Sequence, residues 1–113
     1  RGFILGAPVA TELGLGMLTI RKAGKLPGHV IGVDYSLEYG SARMEIHPES
    51  VVPGSRVLVI DDVLATGGTA GAAVELIRQC GADVAAVAVL LELTDLKGRE
   101  RLRGITVETA LKV

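Results

Sequence analysis

Two adjacent carboxylates, Asp61 and Asp62, close an aliphatic run, and a turn with almost no side-chain bulk follows them: Arg56 to Ala70 reads RVLVIDDVLATGGTA. Packing gives no reason to set two like charges side by side, because a buried charge is costly unless it is paired. A ligand offering both hydroxyls and a phosphate does give one. In open α/β sheets ligands bind beyond the carboxyl ends of the strands, and Asp61 and Asp62 are expected there, directly after Ile60. The turn ATGGT then leads into a helix whose first N–H groups and dipole favour an anion. Gly67 and Gly68 let the backbone wrap closely around it. Thr66 and Thr69 add hydroxyl donors, with Thr69 also placed to cap the helix. Phosphate in the turn and hydroxyls on the acids describe a ribose 5-phosphate.

Competing motifs fail at particular residues. A P-loop needs a Lys after its last Gly, but Thr69 and Ala70 follow Gly68. GLGMLT, Gly14 to Thr19, has two of the three glycines of a dinucleotide turn and lacks the third. A receiver-type acid pocket would use the Asp pair for magnesium, yet has no use for the double-Gly turn. The bland alternative is a strand–turn–helix with a decorative acid pair.

The elements that must position these residues follow from periodicity. RVLVI reads as a strand buried on both faces, as parallel strands are. Thr69 to Cys80 reads as a helix with Ala73, Leu76 and Ile77 on its apolar stripe and Gly81 at its C-terminal cap. ADVAAVAVLLEL gives a second buried strand, LKGRERL a short helical turn, and ITVETAL a final strand. Strand, helix and strand joined by short connections predict a right-handed parallel unit. Upstream, Ala7–Gly14 is expected as a short helix stopped by Gly14, and GMLTI, Gly16–Ile20, as a short strand. RKAGKLPGHVIG reads as a mobile loop, and VDYSLEYGSARMEIHPES as two short strands around Tyr39 and Gly40. The fold class is α/β, an open, mainly parallel sheet flanked by helices with a mobile β-hairpin loop. Arg1 opens directly into a turn and helix with no strand before it. One domain over residues 1–113, lacking an N-terminal sheet element, is therefore expected.

Composition sets further bounds. Twelve basic and thirteen acidic side chains leave a net charge of −1, which speaks against a domain held on nucleic acid by phosphate contacts. Aromatic residues make up only 3% of the chain, so the core is aliphatic rather than a platform for stacking bases. The longest apolar run, Val84 to Leu91, is far short of the ~20 residues a membrane helix needs. Cys80 is the only cysteine, so no intrachain disulfide forms, and a reducing, cytoplasmic setting is expected. His29 and His47 lack metal-ligand spacing and receive no role. Cys80, Met17 and Met44 read as packing residues, and Tyr35 as either hairpin packing or a site residue.

RGF, IRKAGKLPG, YSLEYG, VIDDVLATGGT and ELTDLKGRERL occur in this order across nearly all of the chain. Together they resemble the adenine phosphoribosyltransferase family, within the type I phosphoribosyltransferases of Rossmann-like fold. KLPG with YSLEYG is the specific part, because the acid pair and its turn are shared across the superfamily. The resemblance implies a purine-salvage transferase in which adenine and phosphoribosyl pyrophosphate (PRPP) give AMP and pyrophosphate, with Mg²⁺ bound mainly through PRPP. It places the ribose hydroxyls on Asp61 and Asp62 and the 5′-phosphate on Ala65, Thr66, Gly67, Gly68 and Thr69. Arg1 matches the pyrophosphate-loop arginine, and Arg21, Lys22 and Lys25 match the basic groups of the mobile loop. Glu38 matches the loop acid that moves a proton at the purine, with Tyr39 beside it. The resemblance also implies a homodimer in the complete protein, and an N-terminal hood over the base that residues 1–113 do not contain.

Two other readings stand beside this one. A PRPP-sensing regulator would keep the binding turn without catalysis, but would have no use for YSLEYG on a basic lid. The second is a transferase for a different purine or pyrimidine, a choice that the N-terminal hood would decide.

Overall fold

The computed structural model describes residues 1–37 and 39–113. Helix α1 spans Phe3–Leu13, and strands β1 (Arg21–Lys22), β2 (Ile31–Leu37) and β3 (Gly40–Ile46) follow. Strand β4 (Arg56–Leu64), helix α2 (Gly68–Gln79), strand β5 (Asp83–Glu92) and strand β6 (Val107–Lys112) complete the order, with 3₁₀ turns at 94–96 and 98–102 between β5 and β6. The strands form two sheets. The parallel one runs β4-β5-β6, and an antiparallel one runs β1-β3-β2. The expected parallel unit is thus present, with the hairpin strands in a sheet of their own.

Helix α2 lies between two packed clusters, which explains why its apolar surface is wider than one stripe. On one side Ala72, Leu76 and Ile77 meet Met44 and Ile46 of β3, with Val33 and Tyr35 of β2 against them. On the other, Ala70 and Val74 meet Leu64, Val87, Val89 and Leu102. Met44 and Ile46 are two residues apart on β3 and so face the same side of the pleat. Leu76, Ile77 and Val87 are 1% exposed or less, and burying each such side chain stabilises the fold by about 1.5–3 kcal/mol. The helix ends as expected at Gly81, whose φ of 80° closes a Schellman turn: Gly81 N–H donates to Arg78 and Ala82 N–H to Ile77.

Several boundaries differ from expectation. Helix α1 starts at Phe3, four residues before Ala7, and includes Pro8, while Gly14 caps it with φ 67° as expected. No strand forms over 16–20; the pairing instead begins at Arg21, opposite Glu45. Met17 is 45% exposed, not core, whereas Met44 is buried. Every residue of α1 is half-buried or exposed. No helix among the described residues is long and apolar enough to cross a membrane.

Candidate functional site

Strand β4 does not stop at Ile60. Its parallel pairing with β5 continues through Val63 opposite Leu91 and Leu64 opposite Glu92, so Asp61 and Asp62 lie within the strand rather than past its end. Main-chain hydrogen bonding is indifferent to side-chain charge, and the ladder carries the acids with it. Both are half-buried, and the Asp62 N–H donates to Asp61 Oδ1 at 2.9 Å. Burial pushes the Asp61 carboxyl up, and the neighbouring Asp62 carboxylate adds to the rise against the opposing backbone hydrogen bond. For Asp62, burial also pushes upward, but the hydrogen bond with Asp61 and the positive charge of Arg1 outweigh it and hold the group below its ordinary value. The two acids therefore divide their protonation tendencies.

Arg1 reaches this pair directly, with Nε 3.1 Å from Asp62 Oδ2. The chain comes in close because residue 2 is Gly: a Cβ there would lie 2.7 Å from the Ile60 carbonyl oxygen and 2.9 Å from Asp61 Oδ1.

Past Leu64 the backbone turns through Ala65 and Thr66 into α2. Gly67, with φ 85°, is the residue that caps the helix, and no side chain supplies a capping hydrogen bond. Thr69, expected in that role, is instead the second residue of the helix, and its side chain, like that of Thr66, stands exposed. The turn from Val63 to Ala70 forms a cup of about 60 Å³. Beside it a wider cleft of about 340 Å³ opens between β2 and the start of α2, lined by Asp34, Tyr35, Ser36, Gly68, Gly71 and Arg101 among others. Tyr35 rests its ring on the helix start, with Cδ2 3.2 Å from where a Gly68 Cβ would be, and also packs against the core beside α2.

Arg1, Asp61, Asp62 and the Ala65–Thr69 turn are thus brought together. Arg21 and Lys22 lie exposed on β1 of the other sheet, and Lys25 is exposed in the turn after them. Tyr39, at the hairpin, is 92% exposed. Glu38 lies outside the described residues. His47 Nδ1 sits 3.0 Å from the His29 carbonyl oxygen. Cys80 is half-buried at the end of α2, where burial pushes its thiol up and away from reactivity.

Reading the sequence missed the wall behind the turn. Gly98 packs so closely that a Cβ on it would lie 2.5 Å from the Ala65 carbonyl oxygen. Arg101 follows, with a nitrogen 3.8 Å from the Gly68 Cβ position. The only hint in sequence is the placement of KGRERL just after a strand's carboxyl end.

The chain is an α/β domain whose parallel sheet carries an acid pair on one strand, followed at once by a glycine-capped cup at a helix start. The chain belongs to the phosphoribosyl transferase domain family, which matches residues 1–110. It is 66% identical over 102 residues to an adenine phosphoribosyltransferase of Streptomyces clavuligerus, covering 90% of this chain and 57% of that protein. The structure of adenine phosphoribosyltransferase from Thermoanaerobacter pseudethanolicus superposes with a TM-score of 0.97 at 44% identity, covering 100% of this chain and 66% of that one. The Trypanosoma brucei adenine phosphoribosyltransferase, solved in complex with AMP, pyrophosphate and ribose-5-phosphate, superposes with a TM-score of 0.90 at 39% identity, covering 99% and 52%. The chain thus spans less than two thirds of the length of these relatives.

Proposed function

We propose that this chain is the PRPP-binding core of an adenine phosphoribosyltransferase, making AMP and pyrophosphate from adenine and PRPP. The observation that carries the reading is the continuity of Asp61 and Asp62 with the cup lined by Ala65–Thr69, which sets acceptors for hydroxyls beside a turn suited to a phosphate. The ligands of the trypanosome relative support the same assignment.

In this reading Asp61 and Asp62 accept hydrogen bonds from the ribose 2′- and 3′-hydroxyls. Backbone N–H groups of the turn and the hydroxyls of Thr66 and Thr69 donate to the 5′-phosphate, aided by the helix dipole. Displacement at C1′ builds positive charge on the ribosyl ring, which nearby carboxylates stabilise. Arg1, Arg21, Lys22 and Lys25 oppose the charge gathering on the leaving pyrophosphate. Magnesium, which would be held mainly by PRPP itself, would supply further neutralisation of that charge. Glu38 moves the proton at the purine, and Tyr39 covers the site as the hairpin loop closes and excludes water. A cytoplasmic setting, which the lone half-buried thiol supports, and a homodimer belong to the same proposal.

Incubating the protein with PRPP, Mg²⁺ and each of adenine, hypoxanthine, guanine and uracil tests it, with nucleotide and pyrophosphate both measured. Adenine-dependent AMP formation is expected. PRPP binding with no turnover on any base would favour a regulator, and turnover on another base would reassign the substrate.

A further inference from the structure

The turn that holds the proposed phosphate site is shaped by residues from outside it. Glu92 is the last residue of β5, pairs with Leu64 across the sheet, and is 4% exposed. Its carboxylate is buried next to the point where β4 gives way to the turn. Arg99 answers it: Nε–H donates to Glu92 Oε2, and Nη1–H donates to the Val107 carbonyl at 3.0 Å. One side chain therefore pins the 98–102 segment to the ends of two strands. Gly98, immediately before it, is pressed onto the turn. A Cβ on Gly98 would lie 2.5 Å from the Ala65 carbonyl oxygen and 3.0 Å from the Leu64 side chain. In return, a Cβ on Gly67 would lie 2.5 Å from the Gly98 carbonyl oxygen and 3.2 Å from Arg101 Cβ. The two backbones interlock, each leaving space that only a glycine opposite can use.

We propose that Gly98 and the Glu92–Arg99 pair are positioning residues for the phosphate turn, fixing the curvature of Ala65–Gly67 and so the aim of the N–H groups that follow. The proposal rests on the ribose 5-phosphate reading for its ligand, but its mechanical part does not. The Glu92 carboxylate is buried while Arg99 reaches it from a half-exposed position, and removing Arg99 would leave that buried charge unpaired, which favours one seat for the segment.

The test is an amide NMR study of wild type, Gly98→Ala, Glu92→Gln and Arg99→Lys. Without ligand, each substitution should shift the amide resonances of Gly67, Gly68 and Thr69, although residue 92 sits on another strand. Unmoved amides in the folded variants would overturn the positioning role. Titration with AMP and with adenosine, which lacks the phosphate, then gives a ratio of affinities. That ratio should fall about tenfold in Gly98→Ala and less in Arg99→Lys, which keeps the charge. Equal losses for both ligands would mean a general structural role and would also overturn it. Should Gly98→Ala not fold, Arg99→Lys carries both measurements. Wild-type protein that prefers AMP no more than adenosine, while the turn amides still move in the variants, would instead sink the phosphate reading and leave the mechanical coupling standing.

Discussion

Gly67 and Gly81 offer a controlled comparison, because they share a backbone conformation and differ in what surrounds them. Their φ angles are 85° and 80°. A left-handed conformation costs an L-residue with a Cβ roughly 1–2 kcal/mol. Replacing Gly by Ala also stiffens the unfolded chain, which returns about 0.4–1 kcal/mol. Gly81→Ala should therefore cost about 0.5–1 kcal/mol net, since its new Cβ meets nothing closer than Pro53 Cβ at 3.5 Å. Gly67→Ala incurs the same strain and in addition drives a Cβ to 2.5 Å from the Gly98 carbonyl oxygen. Moving a backbone out of the way costs about 1–3 kcal/mol more, for a total of about 2–4 kcal/mol.

Asn separates the two causes, because it tolerates the left-handed region. Gly81→Asn should be close to neutral, whereas Gly67→Asn should remain as damaging as Gly67→Ala. Urea unfolding followed by circular dichroism reads this out. With a denaturant slope of about 1.5 kcal/mol per molar, the midpoint should fall by roughly 1.3–2.7 M for either Gly67 variant and by less than about 0.7 M for Gly81→Ala. Equal midpoints for Gly67→Ala and Gly81→Ala would refute the steric argument. Recovery in Gly67→Asn would show that φ alone decides.

Asp61 has its folded pKa above its ordinary 3.8, so it adds stability as pH falls through that raised pKa and works against folding at neutral pH. Asp61→Asn should therefore raise Tm at pH 7 and remove the stability gained as pH falls through that pKa, while together with Asp62→Asn it weakens AMP binding at least about tenfold. A lower Tm at pH 7 for Asp61→Asn, or unchanged AMP affinity for the pair, would contradict these roles. Glu38→Ala should reduce kcat by about a hundredfold with a much smaller change in substrate Kd; an effect confined to Kd would make Glu38 a positioning group instead.

How much of this was legible depends on how far apart the interacting residues are in the chain. β4, α2 and β5 were readable because each carries its own signal: an aliphatic run, an apolar stripe, and a glycine where the helix ends. The exact seat of the acids was not, since charge suggests a strand's end while the ladder to β5 runs on to Leu64. The helix cap was misplaced for a related reason. Thr69 has the side chain of a cap, but the backbone reverses at Gly67, and a GG pair does not say which glycine takes the positive φ. The hairpin strands were found from alternation, yet their separation into a second sheet depends on β1 pairing with β3 rather than with β4.

What stayed hidden has a common physical character. Gly2 and Gly98 are absent from the positive-φ glycines among the described residues, so turn chemistry does not mark them. Each is required by an oxygen elsewhere in the chain: Gly2 by the carbonyl of Ile60, Gly98 by that of Ala65. ELTDLKGRERL carries both Gly98 and Glu92 and belongs to the family resemblance, but nothing local in it says what either residue touches. Both acquire meaning only when β4 and β5 lie side by side, because that pairing brings Leu64 opposite Glu92 and so sets the Ala65–Thr69 turn over the 98–102 segment. The acids and threonines that would touch a ligand can be named from one short stretch. How they are held is a property of the sheet, and on the proposal above it resides in glycines and in an ion pair with a buried carboxylate that carry no chemistry of their own.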